Sequence, residues 1–160
     1  MKIDKNMVAS RRKVLLLISS LMFFAFACNG TPVLKQDAIV EIKAHKYSAE
    51  IADTPQARED GLSGIASISD TEGMLFLFSE PQILKFWMRG MQFPIDIIWI
   101  DGDTIVDITE NVAVPSPATG DFDLGIYQPS KPSDKAFEVN SGWSLRHDIK
   151  IGDKVSITRK

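Results

Sequence analysis

The residues best able to do chemistry crowd into one part of the chain, between Trp87 and Glu110. Arg89 and Asp96 flank Pro94. The planar guanidinium fork suits a carboxylate or a phosphate, so Arg89 is a candidate anion clamp. Paired with Asp96, it would instead close the loop around Pro94. Val106, Ile108 and Glu110 alternate onto one face of an expected strand, which puts Glu110 at the end of an apolar row. A carboxyl in such a place can have a raised pKa and serve as a general acid or base. Glu110 and Asp96 are therefore the candidate catalytic carboxylates, of the kind used by hydrolases acting on polymers. The structural alternative is that Glu110 caps backbone amides or pairs with Arg89. Trp87, Arg89, Asp96 and Glu110 together form the candidate ligand-binding set, because an indole can cover the apolar face of a sugar or peptide. Core packing competes for Trp87, Met88, Met74 and Trp99. Asp101, before Gly102, reads as a turn residue.

Other chemistries lack their signals. The two histidines, His45 and His147, lie far apart in sequence, and there is no H-E-x-x-H or C-x-x-C, so no metal site is expected. Asp101-Gly102-Asp103 lacks the rest of a calcium loop. No G-x-S-x-G, P-loop or G-x-G-x-x-G occurs, and no cofactor is expected.

The elements that must position these residues follow an export-type N-terminus. Arg11-Arg12-Lys13 precedes an apolar run from Val14 to Phe26 that is too short to span a bilayer. Residues 1–27 thus read as a signal peptide. Cys28, the single cysteine of the chain, follows at once. This resembles the bacterial lipoprotein signal, in which the cysteine is acylated. Ala25-Phe26-Ala27 is also an ordinary A-x-A cleavage site, which would release a soluble chain. Lipidation of Cys28 is the stronger reading, because it accounts for a lone thiol at an exported N-terminus. Asn29 leaves the outer membrane open. Residues 28–37 read as a tether and 38–160 as one domain of ordinary composition, 44% hydrophobic and 24% charged over the whole chain. Beyond the signal the chain carries 13 basic and 20 acidic residues, about -7, with no basic stripe, so nucleic acid is not an expected partner.

Within the domain, Ala38–Ile42 and Tyr47–Ile51 are expected as strands around a turn near Ala44 to Lys46. Thr54 as N-cap, Pro55 in the first turn and Gly61 at the end mark a short helix. Gly73–Phe78 is an apolar run that suits a strand buried on both faces. Leu84–Met88 is expected to return beside it. Ile95–Ile100 and Thr104–Val112 form a hairpin about Asp101-Gly102. Pro115–Pro132 is a long irregular loop. Lys135–Val139 is a strand, a short helix capped by Ser141 follows, and Lys154–Thr158 is the last strand. The expected fold is mainly β (α+β): a single compact antiparallel sheet or small barrel of seven to eight strands with two short helices.

Several separated motifs carry a resemblance. They are Ile51-Ala52-Asp53-Thr54-Pro55, Arg58, Gly61-Leu62, Gly73-Met74-Leu75-Phe76, Phe86-Trp87-Met88-Arg89, Pro94-Ile95-Asp96-Ile97, Ile105-Val106, Glu110-Asn111, Gly142-Trp143 and Gly152-Asp153. In this order they resemble the domain-of-unknown-function 192 family (uncharacterised protein family 0127), over about Ile39 to Ile157. The resemblance implies a compact β-rich fold and frequent export, and no established reaction. Arg89-Gly90-Met91 stands where the family pattern has Lys or Arg, Asn and Thr.

The expectation is an envelope lipoprotein domain, facing the periplasm or the cell surface, that binds an envelope protein or a small ligand without catalysis. Its membrane partner would be reached through the lipid on Cys28. A hydrolase acting on envelope polymers through Glu110 and a structural or assembly factor are the alternatives.

Overall fold

The computed structural model describes residues 34–160. The export signal, Cys28 and the tether up to residue 33 lie outside the described residues. The described chain runs β1 (Ala38–Ile42), β2 (His45–Ala52), α1 (Pro55–Asp60), β3 (Glu72–Gln82), β4 (Ile95–Asp101), β5 (Thr104–Val112), β6 (Ser133–Asn140), α2 (Trp143–Arg146) and β7 (Val155–Arg159). A 3-10 turn, Asp121–Asp123, interrupts the long loop before β6. Among the described residues no helix is long and apolar enough to cross a membrane.

The strands form one seven-stranded sheet in the order β5-β4-β6-β3-β2-β1-β7. It curls into a half-barrel, mainly β with two short helices, as the sequence led us to expect. One detail differs from an all-antiparallel sheet: β2 and β3 run parallel, with Ser48 opposite Glu72 and Ala52 opposite Phe76. The reason is α1, which carries the chain back across the sheet and so makes β2-α1-β3 a crossover unit. At one corner the two edge strands touch, through a bridge between Thr104 and Lys154 and backbone bonds that join Ile105 to Gly152 and Asp153.

Each face of the sheet carries its own apolar cluster. One draws on all seven strands, including Val40, Tyr47, Leu75, Ile98, Ile105, Phe137 and Val155, with Trp143 of α2 at one end. A cluster fed by every strand is the interior of the curl. The other cluster, with Met74, Phe76, Ile97, Trp99 and Ala136, lies on the opposite face and is covered by Leu62, Leu84, Met88 and Met91 from the loops. The central strands β3, β4 and β6 are thus buried on both sides, which is why Ile97-Ile98-Trp99-Ile100 of β4 is apolar without alternation.

Local chemistry sets the elements around the site. In α1, the Ala57 amide donates to Thr54 Oγ1 at 3.1 Å and Pro55 fills the first turn. Gly61 takes a φ of 48° and ends the helix. Leu84–Met88, expected as a strand, is not one. Only Phe86 pairs, in a single bridge with Tyr127, while Leu84 and Met88 turn inward to cover the sheet. The position beside β3 goes instead to β6, whose residues 135–138 pair with 74–77. The second helix begins after its N-cap, Gly142, which takes a φ of 73°. Ser141, expected to cap, donates its hydroxyl to Asn111 Oδ1 at 2.6 Å instead.

Candidate functional site

A cavity of about 340 Å³ that combines aromatic walls with charge lies between α1, β3, β6 and the segment from Lys85 to Met91. That is at the small end of the range for ligand sites. Its floor is made of fully covered residues: Leu62, Phe76, Met91 and Glu138. Phe78 and Phe86 form half-buried walls. Phe86 packs edge-on to Phe76, with ring centroids 4.8 Å apart, and edge-on to Trp99 at 5.1 Å, so the wall is fixed to the core.

The rim is charged. Arg58 donates to the backbone oxygens of Asp53 and Leu77 at 2.8 and 2.9 Å, with its guanidinium 4.9 Å from the Phe78 ring centroid. Arg89 pairs with Glu59 at 3.0 Å and lies 5.4 Å from the Trp87 ring centroid. Two guanidinium groups are thus already stacked against two of the aromatic rings. Trp87 is 45% exposed, a large indole left half in water at the mouth.

Glu138 is the unusual group. On β6, Ala136 and Glu138 face the loop-covered side while Phe137 and Val139 face the interior. Its cross-strand neighbours are Met74 on β3 and Ile97 on β4. The residue is 5% exposed, and among the described residues no hydrogen bond or ion pair reaches its carboxyl, which opens to the cavity. Removal from water disfavours the charged form, and burial alone pushes its pKa up to about 8. At neutral pH the group is therefore mostly a protonated, neutral acid aimed into an aromatic cavity.

The residues singled out in the sequence separate into two sets. Trp87 and Arg89 line the cavity. Asp96 does not. It is completely buried and accepts three backbone amides, from Asn111 at 2.9 Å, Gly142 at 3.0 Å and Ser144 at 2.9 Å. It stitches the end of β5 to the start of α2, and Arg89 pairs with Glu59 rather than with it. Glu110 is exposed and lies outside the cavity. The expected alternation of Val106, Ile108 and Glu110 fails because β5 has register shifts against β4. Trp99 faces Asp107 but Ile100 faces Ile105, so Val106 is an extra residue. Val106 then packs on the loop-covered side and Ile108 on the interior side.

Glu138 and Lys85 had no part in the sequence reading, and Arg58 entered it only as a residue of the family resemblance. The signal for Glu138 was present: an acid inside Ala136-Phe137-Glu138-Val139, a run otherwise apolar, in a strand read as Lys135–Val139. The two histidines, remote in sequence, also meet. The rings of His45 and His147 lie 4.2 Å apart beside Tyr47, whose hydroxyl accepts from Trp143 Nε1. Burial first, then the neighbouring His45 and Arg146, holds His147 below the usual histidine range. Among the described residues no group of three His, Cys, Asp or Glu is placed to hold a metal ion.

Comparison with known proteins agrees with this architecture and adds no activity. The model of DUF192, Uncharacterized ACR, matches residues 38–157. A chain from Sinorhizobium meliloti 1021, described as a candidate transcription regulator, superposes with a TM-score of 0.67 at 27% identity, covering 78% of this chain and 95% of that one. A protein of unknown function from Novosphingobium aromaticivorans DSM 12444 superposes with a TM-score of 0.65 at 30% identity, covering 75% and 83%. No curated protein matches the sequence.

Proposed function

The chain belongs to the DUF192 family, Uncharacterized ACR, a family of unknown function, and within it we propose a non-catalytic binding domain of the cell envelope that holds a small ligand in the cavity beneath Trp87. The domain is exported and held at a membrane by a lipid on Cys28. One observation carries the binding reading: a buried carboxyl without a partner among the described residues lines an aromatic cavity whose mouth is open to water. A carboxyl so placed costs folding free energy, and a ligand is what would give it a partner. The export reading is supported by Arg11-Arg12-Lys13, the apolar run and Cys28.

Hydrolysis through Glu110 and Asp96 has less support. Neither residue lines the cavity, and Asp96 is fully engaged with backbone amides. The regulator description of the Sinorhizobium relative is not adopted, because 13 basic against 20 acidic residues after the signal would repel a phosphate backbone.

A fragment screen read by tryptophan emission tests the binding reading. Trp99 and Trp143 are fully buried and Trp87 is half exposed, so a ligand at the mouth shifts the Trp87 component. We expect fragments that bind to compete with one another and to lose their signal in Trp87→Phe, with binding retained there by NMR. A screen whose hits all map outside the cavity, or none at all, contradicts it. Intact mass and membrane fractionation of wild type and Cys28→Ser test the anchor. An unmodified, soluble mature chain would remove it.

A further inference from the structure

The cavity has two polar ends, and their chemistry narrows what can fill it. The deep end is Glu138, among Leu62, Phe76 and Met91. The outer end is the rim, with the cations Arg58, Lys85 and Arg89 and the acids Glu59 and Asp60. Glu59 is taken by Arg89 and Asp60 accepts from Gln56 at 2.8 Å. Arg58 makes only backbone bonds, and Lys85 is exposed with no acid on it among the described residues. Three cations against two carboxylates leave the mouth with a formal charge of +1.

A cationic ligand meets three obstacles. It passes those rim cations, it finds Phe78 and Trp87 already stacked by Arg58 and Arg89, and it needs Glu138 ionised in an apolar shell. A ligand with an oxygen at its inner end meets none of them, because a neutral carboxyl can donate its O–H to that oxygen.

Resting on the binding reading above, we propose that the cavity takes a small hydroxy- or oxo-substituted aryl or alkyl monoacid. Its apolar body lies between Phe76, Phe86 and Trp87. Its oxygen accepts from the Glu138 carboxyl at the floor, and its carboxylate faces Arg58 and Lys85 at the mouth. Glu138 faces no other titratable group on β3 or β4: its cross-strand neighbours there are Met74 and Ile97. The charged groups of α1 and of the segment over the cavity are the five rim residues already named.

Four matched probes separate these features by calorimetry on the full-length chain in detergent, with detergent alone as blank. They are 3-(4-hydroxyphenyl)propionate, 3-phenylpropionate, 4-ethylphenol and tyramine. The first is expected to bind tightest. Loss of the inner hydroxyl costs about tenfold or more, because the buried carboxyl is left unpaired again. Loss of the carboxylate costs a few-fold, at low salt only. With a Glu138 pKa of about 8, the neutral fraction falls about tenfold between pH 7 and pH 9, and the affinity for the acid falls with it. Glu138→Gln keeps an N–H donor, so it binds at pH 7 and loses that pH dependence. Tyramine binding tighter than the acid, with affinity that rises from pH 7 to pH 9, overturns the assignment of ligand class and leaves the cavity as a binding site. Failure of all four probes also overturns the class. If the fragment screen fails as well, the binding reading falls with it.

Discussion

Three carboxylates in this chain have three different fates, and environment decides each. Asp96 is buried but satisfied by three amides, so it is structural. Asp96→Ala would leave those amides buried without a partner and is expected to cost roughly 3–5 kcal/mol, measured by urea unfolding. Glu110 stands in water, and Glu110→Gln is expected to change stability by less than roughly 0.5 kcal/mol and to leave ligand binding alone. Glu138 is buried at the wall of a cavity, with no hydrogen-bond or ion-pair partner among the described residues, which marks it as the functional candidate. The sequence pointed to Glu110 rather than to Glu138 because burial depends on register. Glu110 lies past one register shift in β5 and inside a second, while Glu138 sits in a strand paired without a shift from Met74 to Leu77.

At the scale of elements, the hairpin about Asp101-Gly102, the capped α1 and the apolar β3 and β4 were legible because each rests on local chemistry. Leu84–Met88 was not. Its apolar residues are spaced to cover a sheet face rather than to join an edge, and composition alone does not separate those uses. Neither was the β3–β6 pairing, a contact between segments far apart in the chain. Gly73 permits that pairing. A Cβ there would lie 2.5 Å from Phe137 Cε2 and 2.6 Å from the Glu138 backbone oxygen. Phe137 is fully buried and the backbone cannot yield. Gly73→Ala is therefore expected to cost roughly 1–3 kcal/mol and, by displacing Glu138, to weaken ligand binding beyond its effect on stability. A variant with wild-type melting temperature and affinity would show that β6 does not pack as described.

For the whole molecule, stability should depend on pH in an unusual direction. Unfolded, Glu138 ionises near 4.5; folded, near 8. Between those values the folded state holds one more proton, so stability falls as pH rises, by roughly 1.4 kcal/mol per pH unit at most. The lowered pKa of His147 acts oppositely: the unfolded state takes up its proton first, so stability is lost as pH falls below about 6.5. The two effects offset one another under mildly acidic conditions and leave a net decline from pH 6.5 to 8. Glu138→Gln is expected to remove that decline and to raise the melting temperature at pH 8. An identical decline in the variant would assign it to another group.

The ligand class and the pH response of this domain both follow from the state of one carboxyl. A 13C titration of the Glu138 side-chain carboxyl in the full-length chain, assigned by its disappearance in Glu138→Gln, measures that state. A midpoint near 8 is the predicted result. A midpoint near the ordinary 4.5 would mean that Glu138 is solvated or paired, and would contradict both the neutral donor at the cavity floor and the ligand class built on it.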